Sequence, residues 1–237
     1  MGSANHIDIP GGGKKVLVGS YDTKLYCFDA GTGALAWTYE TDYYINGAPA
    51  TDGDRVVFGG CDASLHIVST ADGAKIGEVP VGSYIAGSAA LVDGVAYVGH
   101  YGGSLVAVDT GGKTVAWEYR PEERSGGFFS SPAVGSAHIY IGSRDRHLHC
   151  VDRTTGVRVW TFRTRGEVDS SPVIAGNGDR IVFGSSDGRI YMVGAVDGAE
   201  IWSYEIGSPV IGSAAVAVGM IVIGAQDGRL YAFGGKR

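Results

Sequence analysis

Four groups of side chains in this sequence could do chemistry: a serine inside Gly184-Ser185-Ser186-Asp187-Gly188, three cysteines, a scatter of histidines, and a glycine run followed by two lysines. The serine formally fits the Gly-x-Ser-x-Gly pattern of hydrolase nucleophiles, which depends on a sharp strand-to-helix turn. The same turn recurs as Gly19-Ser20-Tyr21-Asp22 and Gly142-Ser143-Arg144-Asp145 with other residues at the central position, so it reads as a hairpin turn between strands. Gly11-Gly12-Gly13-Lys14-Lys15 lacks the earlier glycine and the following Ser/Thr of a phosphate-binding loop, and it also joins two strands. His100 and His147 sit in turns without a nearby spaced set of Cys, His or Asp, so no metal centre is expected.

The frame that would position such groups is a tandem repeat. One glycine recurs as Gly19, Gly59, Gly99, Gly142, Gly184 and Gly224, at steps of 40, 40, 43, 42 and 40 residues. A second register keeps the same steps through Trp37, Gly77 in the tryptophan slot, Trp117, Trp160 and Trp202. Each copy holds four short segments of strand character; in the fifth these are Ser170–Ala175, Arg180–Gly184, Arg189–Val193 and Glu200–Tyr204, separated by turns rich in Gly, Asn and Asp. Second segments such as Val56-Val57-Phe58 and Ile221-Val222-Ile223 are apolar throughout, so both faces of each sheet must be covered by its neighbours. Sheets that cover one another in series and close on themselves make an all-β fold, a β-propeller of about six four-stranded antiparallel blades.

Composition agrees. Forty glycines among 237 residues, with only 7 prolines and no collagen period, imply many tight turns. An apolar content of 44% allows a core, and a net charge of −6 argues against a general nucleic-acid or anionic-membrane binder. No apolar run approaches the ~18 residues of a membrane-spanning helix. Residues 1–4 read as a cloning remnant and 5–237 as one propeller domain, with a monomer expected and a ring-completing dimer the alternative. Two arrangements fit the ends. Either His6–Ile9 is the inner strand of the first blade and the last blade lacks its outer strand, or the N-terminal segment supplies that outer strand.

In this frame Asp29 and Asp152 are turn formers whose carboxylates accept backbone N–H groups, and Trp37, Trp117, Trp160 and Trp202 are structural, filling the space between blades. Cys27 and Cys150 share a slot three copies apart, too far for a disulfide, and Cys61 lies in a turn, so free thiols are expected. His66 and His149 share a slot filled by tyrosine in other copies.

Gly-Ser-x-Asp, Leu25-Tyr26-Cys27-Phe28-Asp29, Thr32-Gly33 and the following Trp37 together resemble the pyrroloquinoline-quinone-type repeat of the quinoprotein-like propeller family, over essentially the whole chain. That family includes quinone-dependent dehydrogenases, sensor domains and a lipoprotein of outer-membrane assembly, so the resemblance implies a bacterial extracytoplasmic setting. The dehydrogenases of the family use adjacent cysteines and a tryptophan beneath the quinone. This sequence has no adjacent cysteines, and its tryptophans are assigned between blades. The resemblance therefore carries the fold without the redox activity, and no cofactor is expected.

Loops after the fourth strands and the Gly-Ser-x-Asp turns should share one face, and they vary most. Tyr43, Tyr44, Tyr84, Phe128 and Phe129 are expected at the mouth of the channel on that face. Arg120, Arg124, Arg144, Arg146, Arg163 and Arg165 are expected on the same rim, because residues 120–180 carry 9 arginines against 7 acids whereas 1–80 carry 10 acids against 5 bases. The expected function is a non-catalytic scaffold or sensor module binding a protein or peptide, with an acidic segment suited to the arginines. A quinone- or metal-dependent oxidoreductase and a small-molecule or glycan sensor are the alternatives.

Overall fold

A computed structural model describes residues 4–9, 13–122 and 126–234. Among these residues there is no helix, and hence none long and apolar enough to cross a membrane. The strands form six separate antiparallel meanders. The first contains β1 (Asn5–Ile9), β2 (Gly13–Gly19), β3 (Lys24–Asp29) and β4 (Leu35–Glu40); the second β5 (Ala50–Thr51), β6 (Arg55–Gly59), β7 (Ser64–Ser69) and β8 (Lys75–Pro80). The third contains β9 (Ala90–Val92), β10 (Val95–Gly99), β11 (Leu105–Asp109) and β12 (Thr114–Tyr119); the fourth β13 (Ala133–Val134), β14 (His138–Gly142), β15 (His147–Asp152) and β16 (Arg158–Arg163). The fifth contains β17 (Val173–Ala175), β18 (Arg180–Gly184), β19 (Arg189–Gly194) and β20 (Glu200–Glu205), and the sixth β21 (Ala215–Ala217), β22 (Met220–Gly224) and β23 (Leu230–Gly234). Of the two arrangements open for the ends, the first is found. Asn5 pairs with Leu17 and Ile9 with Gly13, so β1 is the first strand of its own sheet, and the sixth sheet has three strands among the described residues.

The chain divides into two compact units, Met1–Glu118 and Tyr119–Arg237. In the first, Val57, Leu65, Ile67, Ile85, Val98 and Val106 form one core cluster, and in the second Leu148, Cys150, Val168, Ile181 and Phe183 form another. Burial on both faces explains the unbroken apolar runs: Val56, Val57 and Phe58 are all 0% exposed. Each such side chain removed from water contributes about 1.5–3 kcal/mol.

The fifth blade begins later than its apolar pattern suggests, because β17 starts at Val173. The backbone N–H of Ser171 is taken by the Ser213 hydroxyl (3.2 Å) and so does not enter a ladder. The same device joins Ala48 N–H to Ser88 Oγ (2.9 Å) and Ser131 N–H to Ser171 Oγ (2.9 Å).

Trp37 and Trp160 sit on the turn of the following blade. Trp37 donates Nε1–H to the Thr70 carbonyl (3.0 Å) and lies flat on Gly73, where any Cβ would strike the indole at 2.6 Å. Trp160 repeats this with the Ala195 carbonyl (3.3 Å) and Gly198. Where Gly77 takes the tryptophan slot, the turn glycine of the next blade is replaced by Lys113, whose methylene chain covers Gly77. Loss of the ring and gain of the lysine stem thus offset each other in volume. A register shift recurs at Cys27/Phe28, Ile67/Val68, Cys150/Val151 and Met192/Val193, a bulge that increases the twist leading into the fourth strand.

Candidate functional site

The turns that looked chemical in the sequence are structural. Gly184–Gly188 is the hairpin between β18 and β19, with Asp187 accepting from Arg189 N–H (3.0 Å) and from the Tyr191 hydroxyl (2.7 Å). Asp29 Oδ1 accepts from the N–H groups of Gly31 (3.1 Å) and Thr32 (2.9 Å), and Asp152 Oδ1 from those of Thr154 (3.0 Å) and Thr155 (2.8 Å). The Lys15 ammonium, followed by the N–H and hydroxyl of Thr32, holds the Asp29 carboxyl well below the usual carboxylate range. Gly11 and Gly12 of the glycine run lie outside the described residues.

In each unit the loop after a fourth strand and the turn between second and third strands are tied together. Thr41 and Ile45 donate to the carbonyls of Thr23 (2.9 Å) and Ser20 (3.2 Å), and Thr164 and Val168 to those of Arg146 (2.9 Å) and Ser143 (3.1 Å). One side chain of each loop is driven inward to seat against the repeated glycine: Ile45 on Gly19, Ile85 on Gly59, Val168 on Gly142 and Val210 on Gly184. Thr41 and Thr164 at the loop starts are also buried, whereas Asp42, Tyr43 and Tyr44 of the first loop are left to solvent.

In the first unit, Tyr43, Tyr44 and Tyr84 are exposed, as the sequence led one to expect of a rim. Two further tyrosines, Tyr21 and Tyr101, join them from the turns; ring centroids are 5.4 Å apart for Tyr21–Tyr44 and 6.4 Å for Tyr84–Tyr101. All five are 47–57% exposed. The signal for the two additional residues is the variable place in the repeated turn, filled by Tyr21, Cys61, Tyr101, Arg144, Ser186 and Gln226 in successive copies.

The second unit departs from expectation. Phe128 is not on the rim: it is fully buried, with its ring 6.5 Å from Tyr119 and 5.3 Å from His149, since it occupies the inward loop position that aliphatic residues take elsewhere. Phe129 is half-buried beneath the Arg144 guanidinium, 3.5 Å from the ring centroid. Arg144 is already engaged within the unit, donating to Asp169 from Nε (3.0 Å) and Nη2 (2.8 Å), with Glu167 at 3.6 Å. It is therefore a poor candidate for an acidic partner, because its fork is matched by an internal carboxylate. Arg120, Arg146, Arg163 and Arg165 are exposed, and Arg124 lies outside the described residues.

A second arrangement was not anticipated. Asp145, His147 and His149 bring one ligand atom each within 4.8 Å of one another, which corrects the reading of His147 as lacking a nearby set. Residues two apart on a strand share a face, and this turn places Asp145 at its end. His149 Nε2 is 2.9 Å from Asp145 Oδ2, and its Nδ1 is 3.0 Å from the Tyr119 hydroxyl. Burial alone would raise the Asp145 pKa, but the hydrogen bond and charge of His149, with His147 adding to them, pull it below the usual value. His66 makes the same contact with Asp62 (2.7 Å) in the second blade, and Tyr26, Tyr191 and Tyr231 make it with Asp22, Asp187 and Asp227.

Among known families, the model described as outer membrane protein assembly factor BamB matches residues 2–76 and 61–237. Proteins of that name from Escherichia coli strain K12 and Salmonella typhimurium are 28% and 27% identical over 92 residues, covering 36% of this chain and 24% of theirs. The match thus spans about a quarter of the length of those relatives. The crystal structure of BamB from Moraxella catarrhalis aligns with a TM-score of 0.79 at 19% identity, over 98% of this chain and 71% of that one. A computationally designed protein, Ika8, aligns with a TM-score of 0.81 at 16% identity, over 92% and 67%. At such identities the structures speak for the fold, and the six meanders are the blades of a β-propeller. With the family matched over nearly the whole sequence, the chain belongs to the BamB family of PQQ-type repeat propellers.

Proposed function

We propose that this chain is a non-catalytic propeller module that binds a protein or peptide through its blade-joining loops, in an extracytoplasmic setting and in the service of outer-membrane protein assembly. The observation that carries this reading is the set of five half-exposed tyrosines in the first unit. Within the blades Phe58, Tyr97 and Phe183 are at most 2% exposed, and outside the loops of the first unit one tyrosine of the described residues, Tyr204 on β20, is comparably exposed at 46%. Rigid aromatic side chains held on an exposed face are favoured at binding hot spots, because they bury much area for little lost entropy. The relatives are named as assembly factors, which supports a protein partner over a redox cofactor. The exposed Arg120, Arg146, Arg163 and Arg165 supply a second, basic surface suited to an acidic stretch of partner.

Photo-crosslinking residues placed at Tyr44 and Tyr84, with Leu35 at the opposite end of the first blade as control, test the assignment. Adducts with a discrete protein at Tyr44 and Tyr84 but not at Leu35 are expected. Adducts only at Leu35, or equally at all three, would contradict it.

A further inference from the structure

The Asp145–His147–His149 cluster lies at the end of β15 in a cleft of about 190 Å³, whose wall also includes Glu122, Arg158 and Thr161. The His–Asp pair alone is a repeat feature, since His66–Asp62 forms it in the second blade. His147 is what differs. The corresponding place is Lys24, Ser64, Ser104, Arg189 and Arg229 in other blades, and only here does it add a second imidazole beside the pair.

We propose that Asp145, His147 and His149 bind a divalent transition-metal ion of the zinc, nickel or copper type. Two imidazoles and one carboxylate form a donor set that suits these ions and disfavours magnesium or calcium, which take oxygen ligands. For metal–ligand bonds of about 2.1 Å, tetrahedral donors sit ~3.4 Å apart. Asp145 already bridges the two rings, 2.9 Å from His149 Nε2 through Oδ2 and 3.4 Å from His147 Nδ1 through Oδ1, while the three donor atoms lie within 4.8 Å of one another. Binding therefore requires the half-buried His147 ring to leave the Asp145 carbonyl, 3.0 Å from its Nδ1, and swing toward the other two donors. Two of the three ligands are also held rigidly, with His149 and Asp145 side chains only 3% and 7% exposed.

The surroundings supply the outer support that metal-bound histidines use. Tyr119 lies 3.0 Å from His149 Nδ1. With the metal on Nε2, the neutral ring carries its proton on Nδ1, where the Tyr119 oxygen accepts it. The Glu122 carboxylate on the wall of the same cleft and water are the further ligands available to complete the shell. Arg158 is a like charge on the wall, but its side chain is exposed and long enough to turn away.

The test uses variants borrowed from other blades, so that the fold is preserved. His149→Tyr restores the hydroxyl-to-Asp bond of Tyr26, Tyr191 and Tyr231, and His147→Ser reproduces Ser64. Zinc and nickel chloride titrated into the chain by calorimetry should show one tight equivalent, with cobalt giving the visible absorption of a low-symmetry site. Each of the two variants should weaken the metal at least about tenfold, while His66→Tyr leaves it unchanged and magnesium gives no heat. Absence of a stoichiometric site, an affinity in His147→Ser or His149→Tyr unchanged from that of the unaltered chain, or an equal loss in His66→Tyr would overturn the proposal.

Discussion

Ile45 fills the space above Gly19: a Cβ built on that glycine would stand 2.4 Å from Ile45 Cγ2. The contact links the end of β2 to the loop after β4, and Ile85–Gly59, Val168–Gly142 and Val210–Gly184 repeat it. At these four positions the glycine that marks the repeat is therefore required by space, since its φ is not in the left-handed region, whereas a Cβ on Gly224 would meet nothing nearer than 4.0 Å.

Gly19→Ala should destabilise by about 1–3 kcal/mol through overpacking, and Ile45→Ala by about 2–5 kcal/mol through cavity formation. In the double variant the new methyl occupies part of the vacated volume. Chemical denaturation should give a combined loss smaller than the sum by at least ~0.5 kcal/mol. Strict additivity would show that the two side chains are not in contact.

Trp37 stacks on Gly73 and reaches the Thr70 carbonyl, joining consecutive blades of the first unit. Trp37→Ala should cost about 3–5 kcal/mol, lowering Tm without changing any binding measured well below it. Gly73→Ala should be similarly harmful, because the methyl has nowhere to go and φ there is +72°.

Asp62 is held below the usual carboxylate range: burial acts to raise it, and the hydrogen bond and charge of His66 outweigh that effect. A group depressed on folding contributes stability above its unfolded value, near pH ~3.9, and loses it as pH falls through the lower folded value. Asp62→Asn should flatten the acid limb of the stability curve in that window, and Asp62→Ala should cost about 1.5–3 kcal/mol at neutral pH, the range for a hydrogen bond to a charged group. Urea midpoints from pH 2 to 7 would show it.

Burial pushes the Cys150 thiol up to about 12, and Cys27 is raised in the same direction. Both are fully buried, whereas Cys61 is half-buried in a turn, 3.0 Å from Asn46 Nδ2. A disulfide reagent should label one thiol of three in the folded chain, with Cys61→Ser abolishing the reaction. Rapid labelling of all three without denaturant would mean that the cores open readily.

Much of the frame is legible in the sequence because spacing and turn chemistry are local. Gly184, Asp152 and Trp160 each carry a steric or hydrogen-bonding demand that recurs at a fixed period. The loop faces are less legible. Nothing local distinguishes Phe128 from Phe129, yet one fills the inward slot used by Ile45 and Val168, and the other lies under Arg144. Arg144 likewise looks like a free rim charge until Asp169, 25 residues away, is seen to match its fork. Asp145, His147 and His149 were within reach, since alternation along a strand puts His147 and His149 on one face. His149 also fills a slot held by tyrosine in other blades, which masks the set in the sequence.

Recognition of a protein by exposed loop aromatics and arginines is the centre of the proposed function. Its most direct measurement is the affinity of the crosslinked partner for the chain carrying Tyr44→Ala, Tyr84→Ala and Arg165→Ala together, compared with the unaltered chain. A loss of at least ~30-fold, the size expected when hot-spot side chains are removed, with Tm nearly unchanged, is the predicted result. Unchanged affinity in a folded triple variant would contradict the account.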